Sequence, residues 1–296
     1  MRHAGELAVQ RRAGLDLDGW GSAGAGPEIP AVAAEFLARQ RMLVVGAADD
    51  AGAVWAGALA GPAGFVRARG DREVVVDAVP EAGPLAGVFA PGADRDVGML
   101  AIEPATRRRM RVNGTARRSG GGLAVRTEQV YANCPKYIQT RTVDAEEPPA
   151  GPVEASGSDR LSAAQRAWIA AADTFFVATR ADGLGADASH RGGNPGFVAV
   201  GDDRTLVWPE YAGNSMYMTL GNLELDPRCG LLFLDWERGR ALHLTGTART
   251  DWDPGRAAAV PGAQRLVAFA LDRVVEVGGA LPLRWTFERY SKFNPV

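Results

Sequence analysis

Lysine is nearly missing from this chain: of 296 residues only Lys136 and Lys292 are lysines, so almost every cation is an arginine. Codon bias in an Ala-, Gly- and Arg-rich sequence accounts for the pattern, although a lysine kept against that background marks its position. Cysteine is equally scarce. Cys134 and Cys229 have no metal-ligand spacing and make no disulfide framework, which excludes a structural zinc site and suits a reducing cytosol. There is no basic surplus either. With a net charge of −2 and a pI near 6.0, nothing supplies the broad cationic surface that phosphate-backbone binding needs, and nucleic acid is excluded as a partner. Long apolar runs are absent: the most apolar stretch, Ala163 to Thr179, is interrupted by Gln165, Arg166 and Asp173, and the first residues contain no apolar h-region. The expectation is a cytoplasmic protein with no membrane partner. No Gly-x-Gly-x-x-Gly opens a helix after a strand, which removes the support for a Rossmann site.

What the chain does contain is a repeat. Gly64-Phe65-Val66 lies on Gly196-Phe197-Val198 at an offset of 132, and the same offset places Asp71-Arg72 on Asp203-Arg204. Farther along, Gly98-Met99-Leu100 falls on Gly230-Leu231-Leu232, and Gly114-Thr115-Ala116-Arg117 on Gly246-Thr247-Ala248-Arg249. One register kept this long is internal duplication. Each copy reads as a short amphipathic helix (31–39 and 163–172) followed by β-rich runs such as 42–46 and 174–179, with turn signals at Asp49-Asp50-Ala51-Gly52 and Ala181-Asp182-Gly183. Further strands are predicted at 73–78, 97–103, 109–117 and 123–131, with counterparts at 205–208, 229–235, 241–250 and 265–277. Short strands closely spaced by turn residues argue for antiparallel barrels, not parallel βαβ units. Residues 1–30 form an N-terminal arm with a predicted helix over 6–13 and a Gly-rich segment after it. The first repeat spans 31–142 and the second 159–296. Between them 143–158, rich in Glu, Pro, Gly, Ala and Ser, reads as a linker.

Three strings carry polar chemistry. The first, Ser189-His190-Arg191-Gly192-Gly193-Asn194-Pro195-Gly196-Phe197-Val198, ends a strand in hydroxyl, imidazole and guanidinium, and its two glycines let backbone N–H groups approach a ligand, so it reads as an anion-binding edge or as a polar hairpin turn. The second runs from Trp208-Pro209-Glu210-Tyr211 through Asn214-Ser215-Met216 to Thr219-Leu220-Gly221-Asn222-Leu223. It predicts a strand end, a turn and a helix starting near Asn214 or Ser215, whose free N–H groups suit a phosphate as well as they suit an ordinary cap. Trp208 and Met216 either flank a planar aromatic ligand or belong to the core. The third string is Cys134-Pro135-Lys136-Tyr137-Ile138-Gln139, in which Lys136 either neutralises a phosphate or lies solvated. Cys134 has no adjacent histidine to activate it and reads as packed.

The Ser-His-Arg-Gly-Gly-x-Pro-Gly-Phe-Val string, the Trp-Pro-x-Tyr-x-Gly-Asn turn, the Leu-Gly-Asn-Leu helix and the Cys-Pro-Lys-Tyr-Ile string, which here closes the first repeat, resemble the pyridoxamine 5′-phosphate oxidase-like superfamily of FMN-binding split β-barrels. Within it they resemble the branch of flavin-nucleotide-binding proteins. The resemblance extends over essentially the whole chain. It implies a mainly β protein of two tandem split β-barrels forming an internal pseudo-dimer, with one FMN at the barrel–barrel interface. It implies FMN contacts from Ser189, His190, Arg191, Gly192, Gly193, Trp208, Asn214, Ser215, Met216 and Thr219, and from Lys136 and Gln139 of the first repeat. Two departures matter. The C-terminal Arg-x-His of true pyridoxamine phosphate oxidases is missing, which argues against vitamin B6 oxidation. The usual Arg-x-x-Leu-Leu-Lys strand is replaced by Ser189-His190-Arg191.

At the offset of 132, Ser189, His190 and Arg191 become Gly57, Ala58 and Leu59, and Asn214 becomes Ala82. The first repeat therefore reads as the degenerate copy, so that one chain, monomeric or homodimeric, imitates the usual homodimer with one live site. The implied function is an FMN-dependent oxidoreductase acting on a small molecule or receiving electrons from a reductase, with His190 as proton donor or ring-orienting donor and no metal. The alternative is a non-catalytic flavin or haem carrier or sensor, in which His190 or His243 would be the axial candidate.

Overall fold

The computed structural model describes residues 3–15, 25–147 and 153–296. Helix α1 (Ala4–Arg12) precedes the first repeat, which runs α2 (Ala31–Ala38), β1 (Met42–Ala48), β2 (Val54–Ala60), β3 (Val66–Ala68), β4 (Glu73–Val76), β5 (Asp94–Glu103), β6 (Arg108–Ser119), β7 (Gly122–Ala132) and β8 (Thr140–Glu146). The second repeat opens with β9 (Ala155–Ser158) and α3 (Ala163–Ala171), then β10 (Thr174–Ala181), β11 (Gly185–Gly192), β12 (Ala199–Val200) and β13 (Thr205–Tyr211). Helix α4 (Met218–Leu225) leads into β14 (Arg228–Asp235) and β15 (Arg240–Asp251), and α5 (Pro254–Ala258) leads into β16 (Ala263–Val277) and β17 (Leu283–Arg289). The sheet order β2-β1-β5-β6-β7-β4-β3 recurs strand for strand as β11-β10-β14-β15-β16-β13-β12. The protein is mainly β, two tandem split barrels arranged as an internal pseudo-dimer.

The duplication holds at the level of single residues. β6 and β15 begin 132 residues apart and carry the same irregularity, a bulge between Asn113 and Gly114 and another between Thr245 and Gly246. Past that point the offset grows: Glu73 pairs with Arg126, whereas Thr205 pairs with Ala270, because the loop with α5 is inserted between β15 and β16.

The apolar runs at 42–46 and 174–179 are hydrophobic on both faces because these strands have no solvent face. Along β1, Leu43, Val45 and Ala47 fill the first barrel, while Met42 and Val44 point into a separate cluster between the barrels. β10 does the same, with Phe175 and Val177 in the second barrel and Phe176 and Ala178 between. The barrels press together through equivalent backbone: a Cβ on Gly98 would stand 2.4 Å from the Asp187 backbone, and one on Gly230 2.6 Å from Trp55 Cα. Both pairs are 132 residues apart, so the contact obeys the pseudo-twofold, whose axis passes where Gly46 faces Ala178.

Strands occupy both ends of 143–158, the stretch read as the linker. β8 pairs with β17 in a two-stranded ribbon, Thr142 opposite Thr286, and β9 adds to the edge of β16. Its composition lacks apolar alternation because these strands lie on the outside, where β9 is exposed throughout. The predicted helix over 6–13 is α1, shifted by two residues at its start. Most of the Gly-rich segment that follows lies outside the described residues.

Candidate functional site

The pseudo-twofold creates two pockets between the barrels, each built from a half of either repeat. One is lined by the end of β11 (His190, Arg191, Gly192), by Pro209–Tyr211 of β13 and by the turn 213–217 from the second repeat; the first repeat contributes Arg109 and Arg111 of β6 and residues 133–137. Its mate takes Gly57–Ala60 of β2 and residues 77–82 from the first repeat, and Ala241 and His243 of β15 from the second. At the offset of 132, Arg109 and Arg111 correspond to Ala241 and His243, and His190, Arg191 and Glu210 correspond to Ala58, Leu59 and Ala78. Degeneracy is thus divided between the repeats. The first has lost its polar β2 and β4 half yet supplies two arginines to the other site. Those arginines were missed in the sequence because they sit in the copy read as scaffold.

In the polar pocket the arginines meet few carboxylates. Arg111 Nη1 lies 3.2 Å from Asp187 and donates to Tyr131 Oη at 3.0 Å, while its Nη2 donates to Ser189 Oγ. Ser189 Oγ also reaches Asp187 (3.1 Å) and Thr219 Oγ1 (2.7 Å). Arg191 pairs with Glu210 at 3.1 Å. Arg109 makes no ion pair among the described residues; its Nη1 lies 2.8 Å from His190 Nδ1. Burial, then repulsion from Arg111 and Arg191, pushes the Arg109 pKa down to about 9, so its charge is held at a cost. Burial and the Arg109, Arg191 and Arg141 charges hold His190 well below its ordinary value, which leaves the ring neutral at neutral pH. Because a guanidinium only donates, Nδ1 must accept, and the ring proton sits on Nε2. That Nε2–H has no partner, nor have Arg109 Nε, Arg111 Nε or Arg191 Nε, all buried. Four orphaned donors around one surplus positive charge describe an anion site.

Residues 161–284 match the family model described as pyridoxamine 5′-phosphate oxidase. The match covers most of the second repeat, which is similar to that family. No curated protein sequence matches it significantly. Similar solved structures include HupZ of Group A Streptococcus (16% identity, 38% of this chain and 92% of that one, TM-score 0.33) and the FAD binding protein from Mycobacterium smegmatis (15% identity, 40% and 98%, TM-score 0.29). A third is the protein from Clostridium acetobutylicum related to general stress protein 26, of the pyridoxinephosphate oxidase family (12% identity, 36% and 78%, TM-score 0.28).

The structure gathers His190, Arg191, Gly192, Asn214, Ser215, Met216, Thr219 and Lys136 around the polar pocket, with Ser189 hydrogen-bonded just behind it. Three expected residues stand elsewhere. Trp208 alternates inward with Leu206 and lies in the second barrel's core against Phe175 and Phe269, while Pro209, Glu210 and Tyr211 after it line the pocket. Gln139 is buried and fully used: its amide donates to Asp173 O, Tyr137 O and Gly193 O, and its oxygen accepts from Ser291 N and Asn294. Gly193 does not line the pocket; its N–H donates to Asp173 O. Gly192 is small for a reason other than a ligand, since a Cβ there would stand 2.0 Å from Tyr137 O, the first repeat's segment crossing over it.

The helix expected near Asn214 or Ser215 starts later, at Met218. The intervening turn is bent by Ser215 (φ 57°) and Tyr217 (φ 56°), and Asn214 Oδ1 caps Met216 N within it at 3.1 Å. Tyr137, across the pocket, is also left-handed (φ 66°). Three of the four non-glycine residues in that region among the described residues line one pocket, and such backbone persists only where the surroundings enforce it. Helix α1 is one of the enforcers, for Gln10 Nε2 donates to Ser215 O and Met216 O.

On the same helix Glu6 is buried, and burial, with Asp187 nearby, pushes its pKa up to about 7 from an ordinary 4.5. The folded protein therefore holds the Glu6 proton more tightly than the unfolded chain. This contribution to stability is complete below pH 4.5 and is lost as pH rises through about 7. Glu6→Gln is expected to flatten that part of the profile. Melting temperatures read from pH 5 to 8 should fall less steeply in the variant than in the parent; parallel profiles would remove Glu6 as the cause.

Proposed function

We propose that this chain is an FMN-dependent oxidoreductase with one cofactor site per polypeptide, the polar pocket between the repeats. The observation that carries the reading is the set of orphaned donors on Arg109, Arg111, Arg191 and His190, grouped around an uncompensated charge in one pocket, whereas its mate has Ala241, His243, Leu59 and Ala58 at those positions. Arg109, Arg191 and Lys136 would hold the phosphate, and Tyr137, Met216 and Tyr217 would border the ring. Bound there, the flavin would supply the electron transfer, and the chain's own residues bind and orient. His190 is neutral with its proton on Nε2, so it serves as a hydrogen-bond donor that orients the ring or a substrate. It is a poor source of a transferable proton near pH 7. The pocket's free space is only about 70 Å³, so admission of the ring requires Tyr137 and the 213–217 turn to move. The substrate is a small molecule or a reductase that delivers electrons.

Haem is disfavoured by the same chemistry. His190 Nε2 carries its proton and offers no lone pair, and the pocket around His243 has no cation among its described lining to pair with haem carboxylates. Reconstitution tests both readings. With FMN the protein should show bands near 370 and 450 nm (expected of any flavin) and approach one equivalent per chain. Two equivalents, or a Soret band with haem and no uptake of FMN, would overturn the proposal.

A further inference from the structure

The apolar mate of the polar pocket has not been packed shut. It retains about 340 Å³ of free space, inside the range of small-molecule sites. Close-packed interiors fill abandoned space with larger side chains. Here the positions of His190, Glu210, Asn214 and Arg109 are all taken by alanine (Ala58, Ala78, Ala82 and Ala241), and Gly57 stands where Ser189 does. The walls are completed by Leu59, Val79, Leu85 and Val277.

One buried polar side chain faces this space. His243 is 6% exposed, and its Nδ1 lies 2.7 Å from the Ala56 carbonyl oxygen, which can only accept, so Nδ1 carries the proton. Burial pushes its pKa down to about 4, which keeps the ring neutral and leaves Nε2 as a bare acceptor. Among the described residues Nε2 has no partner, and it points toward Gly83, 3.5 Å from where a Cβ would stand.

We infer that the apolar pocket is a second ligand site, which takes a flat, neutral heteroaromatic or phenolic molecule about the size of indole, its single N–H or O–H donating to His243 Nε2. No cation stands in the described lining and the exposed Glu81 lies at the rim, beside an Asp77 already paired with Arg67, which disfavours anions and separates this ligand from the phosphate-bearing cofactor of the other pocket. The inference does not depend on the flavin reading.

Indole and 1-benzofuran, which have nearly the same shape but differ in the N–H, serve as probes with the full-length protein. Indole should bind saturably at one per chain, shift the His243 Nε2 nitrogen resonance, and bind roughly three- to tenfold tighter than benzofuran, the usual worth of one neutral hydrogen bond. Ala58→Phe should abolish binding by filling the space, His243→Phe should erase the preference for indole, and Arg191→Ala in the other pocket should change neither. Absence of saturation, equal affinity for the two probes, or binding that survives Ala58→Phe or is lost in Arg191→Ala would overturn the inference. If Ala58→Phe fails to fold, the His243 resonance in the unaltered protein decides alone: a shift with indole and none with benzofuran supports the site, and no shift with indole refutes it.

Discussion

Replacement of Arg109 by methionine is expected to raise the melting temperature of the flavin-free protein while weakening FMN binding ten- to a hundredfold. The two effects have one origin. Arg109 is a buried cation without a carboxylate partner, crowded by Arg111 and Arg191, with its pKa pushed down to about 9; removing it relieves desolvation and repulsion. The same charge is what a phosphate would pair with, and a lost charge-assisted hydrogen bond costs about 1.5–3 kcal/mol, one to two decades in affinity. Arg191→Ala should differ in sign on stability, because it leaves Glu210 buried without its partner at 3.1 Å, and it should lower both quantities. Arg67, exposed and paired with Asp77 on the far edge of the first sheet, is the control that should change neither. Thermal melts without flavin and titration of FMN fluorescence measure both. If Arg109→Met binds FMN normally, or melts lower than the parent, the anion-site reading of this pocket fails.

The second large effect is expected from cutting the chain between the repeats. A fragment of residues 153–296 should hold no measurable FMN and should aggregate or melt far below the intact protein. It would expose the inter-barrel cluster of Phe176, Ala178, Leu232 and Leu234, and it would lack Arg109, Arg111 and the segment 133–137. It would also lose the cross-repeat bonds of Gln139, the Arg141–Asp173 ion pair at 2.6 Å, and β8, the partner of β17. Supplying residues 1–147 in trans, a span that keeps β8 whole, should restore binding. Full affinity in the isolated second repeat would mean that the site does not span the two repeats.

The duplication was legible because it is written in single residues, the Gly-Phe-Val pair and the Gly-Thr-Ala-Arg pair, and the β-rich runs of β1 and β10 announced strands, whose burial on both faces the structure added. The offset slipped only past α5, where an inserted loop has no counterpart to align. Half of the polar pocket was legible too, in the string from Ser189 to Gly192. Its other half was not. Comparing repeats position by position asks which copy kept its polar groups, while a pseudo-dimer builds each site from unlike parts of both copies. The signal for Arg109 and Arg111 was present all the same: two arginines two apart on one face of β6, where the other repeat has Ala241 and His243. Trp208 and Gln139 misled for a simpler reason, since residues beside a functional string share its neighbourhood in sequence but alternate away from it in a strand, or are spent on buried backbone.

The glycine contacts across the pseudo-twofold have a consequence for how such a protein changes over time. In a homodimer every substitution enters both pockets at once, so neither can drift without its twin. With both halves on one chain, arginine at 109 and alanine at 241 are separate inheritances, each altering a single cavity. The shared seam keeps the older constraint. Gly98 against Asp187 and Gly230 against Trp55 still mirror one another closely. A change at the axis, where Gly46 faces Ala178, meets both halves of the seam together, and there this single polypeptide is still built as a dimer.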